Sequence, residues 1–420
     1  MLSVHTTCTL AYCCLIALLT SNAKAGAIAT FQRVPGEFVG VTDDGSVVTS
    51  SSFIDQDGQN KLLSVPGSHV QIVAFSSYGS TLAGNRILPG SDFYRGWYRR
   101  SNGELIDIGT LTGDEPLPRS TTLIRGMSVD GNVLAGTSRN SEDKLQGFYW
   151  TLADGMEPIE YVPNAVSASV NGISADGSTV VGTSLITCPE CDTSGIIVDC
   201  FGECGPSVAT RHEAFIWNAE EGAISLGVLP LPEPRVVGVS SSGEPIVTAP
   251  LASALQRSHA LGISDDGSTV FGYGTHEGFV WRKGTGMQPL PGLEQESGMF
   301  FPLDASANGS VIVGGIGGSC GINCFSGPGA VIWDEQNGSR LLKSVLIDQY
   351  DLEEEVGGLF LEHATYISAD GRTIAGRVDR TRGGGTWIVT LPVPEPGSVF
   401  SVAILLLAAS LRGSNSALFF

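Results

Sequence analysis

Charge is scarce in this chain: 16% of its 420 residues are Asp, Glu, Lys or Arg, too few to lace exposed helices with the ion pairs that sustain them. Basic residues are scarcer still. With 23 of them against 43 acidic residues, the formal net charge of -20 repels a phosphate backbone and an anionic membrane surface, which excludes nucleic acid as an expected partner. The histidines stand singly, with neither His-x-x-x-His nor Glu-x-x-His spacing, so no metal-ligand set is legible among them. Most turn-borne acids (Asp43, Asp44, Asp130, Asp176, Asp266, Asp370) sit beside glycine or another turn residue, where local geometry already accounts for them. No catalytic, cofactor-binding or metal residue is therefore assigned.

What the chain has in abundance is glycine, 55 residues, together with 21 prolines, the composition of many short strands joined by turns. One stretch recurs. Near-copies of "GISADGSTVVG" begin at Gly40, Ala74, Gly126, Gly172, Gly262, Asp304 and Tyr366, and a degenerate one, "GVSSSGEPIVT", begins at Gly238. Asp-Gly at the centre predicts a hairpin with a type I′ turn, both central residues at positive φ. That register pairs Ile173 with Val180, Ile263 with Val270, Met127 with Leu134 and Ile367 with Ile374, apolar partners on one face.

A short tryptophan-bearing strand follows most copies, ending or centred at Trp97, Trp150, Trp217, Trp281, Trp333 and Trp387, and a further apolar segment follows that. Four strands over about 45–50 residues is the unit of a propeller blade. The expected fold is all-β, a β-propeller of seven four-stranded blades, or eight if the degenerate copy forms one. The tryptophans are expected to fill the space between neighbouring sheets, and Gly136, Gly182, Gly272, Gly314 and Gly376 to mark places where backbones crowd.

The two ends carry the long apolar runs. At the N-terminus the run Cys8–Leu19 precedes Ala23 and Ala25, a small-x-small pattern that reads as a cleaved export signal over residues 1–25; the run is too short to span about 30 Å of hydrocarbon. At the C-terminus, residues 393–420 hold Pro394, Glu395 and Pro396, an apolar run from Val399 to Leu411, and Arg412. Prolines exclude helix at the motif, the apolar run favours a bilayer and the cation holds the cytoplasmic end. This order resembles the PEP-CTERM sorting signal of exported bacterial proteins. The resemblance implies processing by an exosortase, transient membrane anchoring through the tail, and delivery to the cell envelope or the outside.

Between these ends, residues 26–392 resemble the HAF-repeat proteins, a secreted group, through "HEAFIW" from His212 and the variants "GFVW" and "GFYW" alternating with the hairpins. The resemblance implies a propeller-like fold. Six cysteines remain beyond the export signal: Cys188, Cys191, Cys200 and Cys204 in one insertion, Cys320 and Cys324 in another. Their paired spacing suits either zinc or disulfides, and in an exported chain disulfides are preferred. The expected role is non-enzymatic, a surface or matrix component associated with extracellular polysaccharide, as the sorting resemblance implies. The alternative is a propeller hydrolase acting on such a polymer, which needs paired carboxylates at one focus.

Overall fold

The repeated stretches form antiparallel hairpins, and the four expected pairs are present: Ile173 lies opposite Val180, Ile263 opposite Val270, Met127 opposite Leu134, and Ile367 opposite Ile374. The stretch from Gly40 differs by one residue, with Val41 opposite Val47. The computed structural model describes residues 29–34, 38–42, 46–49, 52–54, 60–62, 65, 67–90, 92–113, 121–187, 210–230, 236–239, 244–247, 256–293, 298–317, 329–378 and 385–392. By contacts the chain divides into Gln32–Ile388, which holds the blades, and a unit of Met1–Phe31 with Val389–Phe420. The export signal with Ala23 and Ala25, the tail with Pro394, Glu395, Pro396 and Arg412, and all six cysteines lie outside the described residues.

The fold is an all-β propeller of four-stranded antiparallel blades. Six blades are built from four successive strands each, spanning residues 38–62, 68–107, 122–158, 165–227, 258–290 and 299–341, hereafter blades 1 to 6. This count replaces the seven or eight expected. A further four-stranded sheet is composite, in the order Thr30–Val34, Thr386–Thr390, Thr373–Val378, Leu361–Ile367. Among the described residues the degenerate copy makes no four-stranded blade: Val236–Val239 pairs there with Pro245–Val247 alone, and Pro245 brings no N–H to a ladder.

First strands touch first strands from blade to blade, and Phe38–Val41 touches both Ser68–Phe75 and Thr373–Val378. They are therefore the inner strands. Apolar clusters lie between consecutive sheets: Ala83 and Tyr98 of blade 2 with Leu134 and Phe148 of blade 3, Ala135 with Val180 and Phe215, Val181 with Val270 and Phe279, Phe271 with Phe300 and Ile312. Each fully buried aromatic or branched side chain contributes about 1.5–3 kcal/mol. No blade holds that core alone, which is why the stretch is repeated. Of the tryptophans, Trp97, Trp150, Trp333 and Trp387 are buried in this way, whereas Trp217 and Trp281 are only half-buried.

The crowded glycines are real. A Cβ at Gly182 would stand 2.0 Å from the Ser169 carbonyl oxygen and 2.7 Å from the Phe215 ring, and Phe215 is its partner on the third strand.

The turns differ from the expectation. Gly177 has φ 76°, but Asp176 is not left-handed, so the loop is not type I′. Ser174 N–H bonds to the Thr179 carbonyl at 2.8 Å and Gly177 N–H to the Ser174 carbonyl at 2.9 Å, a longer loop built on a type I turn.

Candidate functional site

Successive turns are tied together. The residue after the turn serine donates its backbone N–H to the matching carbonyl of the next blade: Ser77 to Val129 at 2.9 Å, Val129 to Ala175 at 2.7 Å, Ala175 to Asp265 at 3.0 Å, and Ala307 to Ala369 at 2.9 Å. Asp266 N–H completes the series to Ala307 at 2.9 Å. This girdle draws the inner ends of the blades together at the turn end of the axis. The insertions that carry the cysteines join second strands to third strands, leaving at Thr187 and Gly317 and returning at Thr210 and Ala330. In an antiparallel blade those four strand ends lie at the end opposite the repeated turns.

Along the axis, each inner strand skips one residue in its pairing with the second strand, a β-bulge at the same register position in every blade. The residue that follows the bulge is Gly40, Gly126, Gly172 or Gly262 in four blades. In blade 6 it is Asp304, whose carboxylate accepts the Ile367 N–H at 2.8 Å and the Ala305 N–H at 2.9 Å. Burial outweighs those two bonds and pushes its pKa up to about 7. In the composite sheet the position is Tyr366, whose hydroxyl donates to the Val41 carbonyl at 3.4 Å.

At the turn end, between blades 3, 4 and 5, lies a cleft of about 830 Å³ lined by Tyr149, Ser178, Thr179, Trp217, Asn218, Glu220, Glu221 and Lys283. Tyr149 and Trp217 stand on neighbouring third strands with ring centroids 5.7 Å apart and planes tilted by 51°. Asn218 Oδ1 accepts the N–H groups of Glu220 and Glu221 and fixes the turn that carries them. The Lys283 ammonium, 2.8 Å from Glu221, holds that carboxylate below its usual range.

A smaller pocket of about 300 Å³ opens at the other end, lined by Leu229, Gln256, Arg257, His276, Met287 and Pro289 among others. Beside it, histidines that look scattered in sequence come together. The rings of His212 and His259 are 4.8 Å apart, His259 stacks on Tyr273 at 4.7 Å, and Tyr273 meets Phe301 at 5.0 Å. Burial first, then His212 and Arg257, lowers the His259 pKa to about 3, so the stack is uncharged at neutral pH.

Tyr149 was not singled out from the sequence, and its place in the repeat does not mark it: Tyr98 holds the same register position in blade 2, opposite Ala83 as Tyr149 is opposite Ala135, yet it is buried against Trp150. No group of three or more metal-ligating side chains exists among the described residues. No helix among the described residues is long and apolar enough to cross a membrane.

No family model matches the chain, and no curated protein matches it. Among solved structures it is similar to a prolyl endopeptidase at 12% identity and a TM-score of 0.43, over 75% of this chain and 41% of that one. It is also similar to an oligogalacturonate lyase solved in complex with manganese (13% identity, TM-score 0.34, 88% and 99% of the two chains). TolB from Acinetobacter baumannii is a third (14%, 0.37, 88% and 81%). The chain thus spans less than half of the first of these, and at such identities no activity is carried over from any of them.

Proposed function

We propose that this is an exported envelope or surface protein that binds an extracellular polysaccharide without cleaving it, and that the Tyr149–Trp217 cleft is where it does so. The aromatic pair carries the reading. Two half-buried rings 5.7 Å apart, in a cleft whose other walls include hydroxyl, amide and carboxylate groups and the Lys283 ammonium, suit a ligand with apolar sugar faces and polar edges. A general acid for glycoside cleavage needs a carboxyl whose pKa is raised toward neutrality. Glu221 is moved the other way by Lys283, which favours binding over hydrolysis. Export and anchoring by the tail through Pro394, Glu395, Pro396 and Arg412, with disulfides among Cys188, Cys191, Cys200, Cys204, Cys320 and Cys324, belong to the same proposal.

The test is a screen of the full chain against neutral and acidic polysaccharides, with release of reducing ends followed in parallel. A polymer is expected to bind without being cut, and Trp217→Ala is expected to weaken it by at least about fivefold, the loss of one aromatic contact. Cleavage of the bound polymer would turn the reading to the hydrolase. Undiminished binding by Trp217→Ala, in a variant that still melts cooperatively, would move the site elsewhere.

A further inference from the structure

The Tyr149–Trp217 pair has a counterpart one seam away, between blades 2 and 3. Tyr98 and Trp150 meet in nearly the same geometry, ring centroids 5.1 Å apart and planes tilted by 50°. Both are buried, and the Tyr98 hydroxyl donates to the Gly131 carbonyl of the next blade's turn at 3.0 Å. Tyr149 and Trp217 are only half-buried, and the Tyr149 hydroxyl makes no hydrogen bond among the described residues. Opposite Trp150 on the fourth strand stands Met156, whereas opposite Trp217 stands Ala223. Less side chain covers the second pair, and its rings line the cleft.

The charge around these rings is predominantly negative. Ser178, in the cleft wall, donates its hydroxyl to the Asp176 carboxylate, whose two oxygens lie 2.9 and 2.8 Å away. Burial first, then the carboxylates of Asp130, Asp154 and Asp176, raises the Tyr149 pKa, so all three carboxylates act on that hydroxyl. Asp130 and Asp176 are held below the usual carboxylate range, first by the hydroxyls of Ser128 and Ser174, and they stay charged. Glu220 and Glu221 join them from the turn after Trp217. The Lys283 ammonium is already engaged, 2.8 Å from Glu221. These carboxylates against Lys283 leave the cleft with an excess of negative charge.

We infer that the cleft selects a polysaccharide whose sugars carry free amino groups over its acetylated, neutral or acidic counterparts. The inference rests on the reading of the cleft as a polysaccharide site and names the polymer's charge. An aromatic face attracts a cation through its quadrupole, the more so where water is partly excluded, and nearby carboxylates add to that attraction. A protonated sugar amine meets both kinds of group here, while the apolar face of the sugar stacks on a ring. A uronic acid would meet the same carboxylates as like charges. A bare metal ion would use neither ring, and no group of three or more metal-ligating side chains exists among the described residues.

The experiment measures binding of the full chain by calorimetry to three oligosaccharides of one length and linkage, built of glucosamine, N-acetylglucosamine or glucose, with tetralysine as a cationic control. It is run at mildly acidic pH, where the sugar amine is protonated. The glucosamine oligomer is expected to bind at least about threefold more tightly than the other two. Sodium chloride is expected to erode that advantage, and Glu220→Gln, a change at an exposed side chain, to cut it by about half. Trp217→Ala is expected to weaken all three, since each stacks on the ring. Equal or tighter binding of the acetylated or glucose oligomer, still weakened by Trp217→Ala, would overturn the selectivity and leave the polysaccharide reading standing. Binding indifferent to Trp217→Ala would overturn the reading of the cleft itself. Absence of binding by all three oligomers, tighter binding of tetralysine than of the glucosamine oligomer, or an advantage that neither salt nor Glu220→Gln reduces would each overturn the inference.

Discussion

Ser174 and Asp176 divide the work of one turn between two short side chains. The Ser174 hydroxyl accepts the Thr179 N–H at 3.0 Å and donates to Asp176 Oδ1 at 2.6 Å, while that carboxylate accepts the Ser178 N–H at 2.9 Å. Ser128 with Asp130 and Ser264 with Asp266 repeat the pattern. With these bonds supplied, only the glycine has to be left-handed. The serine hydroxyl holds the Asp176 pKa below its ordinary value, so its contribution to stability is present above the usual carboxylate range and lost as pH falls through the folded-state value. Asp304 has the opposite sign. Its folded-state pKa of about 7 lies above the unfolded value of about 4, so its contribution is full below about pH 4 and is lost as pH rises through about 7. Asp304→Asn removes the titration. The stability of the wild type minus that of Asp304→Asn, measured by denaturant unfolding, is expected to fall steadily from pH 4 to 7.5; a difference that is flat or rises would show that the carboxylate is not desolvated as described.

At the scale of strands, the inner hairpins were legible because Asp-Gly fixes the turn and the apolar pairs fix the register. The bulge was not legible, since skipping a residue leaves the flanking apolar spacing intact on both sides. The column of skipped residues, Val39, Val73, Arg125, Asn171, Leu261, Leu303 and Thr365, shares no chemistry that would mark it. The helix Leu342–Tyr350 was not legible either: it buries Leu342, Val345 and Leu346 and ends at Asp351 with φ 58°, and nine residues are too few for a 3.6-residue period to stand out from strand alternation. The glycines that close the hairpins are crowded as their place in the repeat implies, and for the same reason. Gly182→Ala would place its Cβ 2.0 Å from a backbone oxygen, which no rotamer change relieves. It is expected to cost more than about 3 kcal/mol, or to prevent folding. Gly358, where an added Cβ meets nothing within 4 Å, is the control, and Gly358→Ala is expected to change stability by less than about 1 kcal/mol. Equal effects at the two positions, read by chemical denaturation, would remove the crowding argument.

For the molecule as a whole, the sequence carried the architecture but not its closure. Repeats announce blades, whereas the composite sheet and the girdle of turn-to-turn bonds depend on which backbone groups meet once the blades are side by side, and no side-chain pattern encodes that. The girdle can be isolated with one substitution. Val129 occupies the second position of its turn, where proline fits a type I geometry and by itself stabilises by about 0.4–1 kcal/mol through the unfolded chain. Proline also removes the N–H that reaches the Ala175 carbonyl at 2.7 Å, while leaving the turn's own bonds, from Ser128, Gly131 and Val133, in place. Local preference and the inter-blade bond therefore predict opposite signs. If the girdle stabilises the ring, Val129→Pro lowers stability by about 1 kcal/mol despite its favourable turn chemistry, and amide exchange quickens at Ala175 and Ser77 as well, because each link orders the next. A higher melting temperature for Val129→Pro, with exchange at those two amides unchanged, would reduce the girdle to contacts that happen to be within bonding distance.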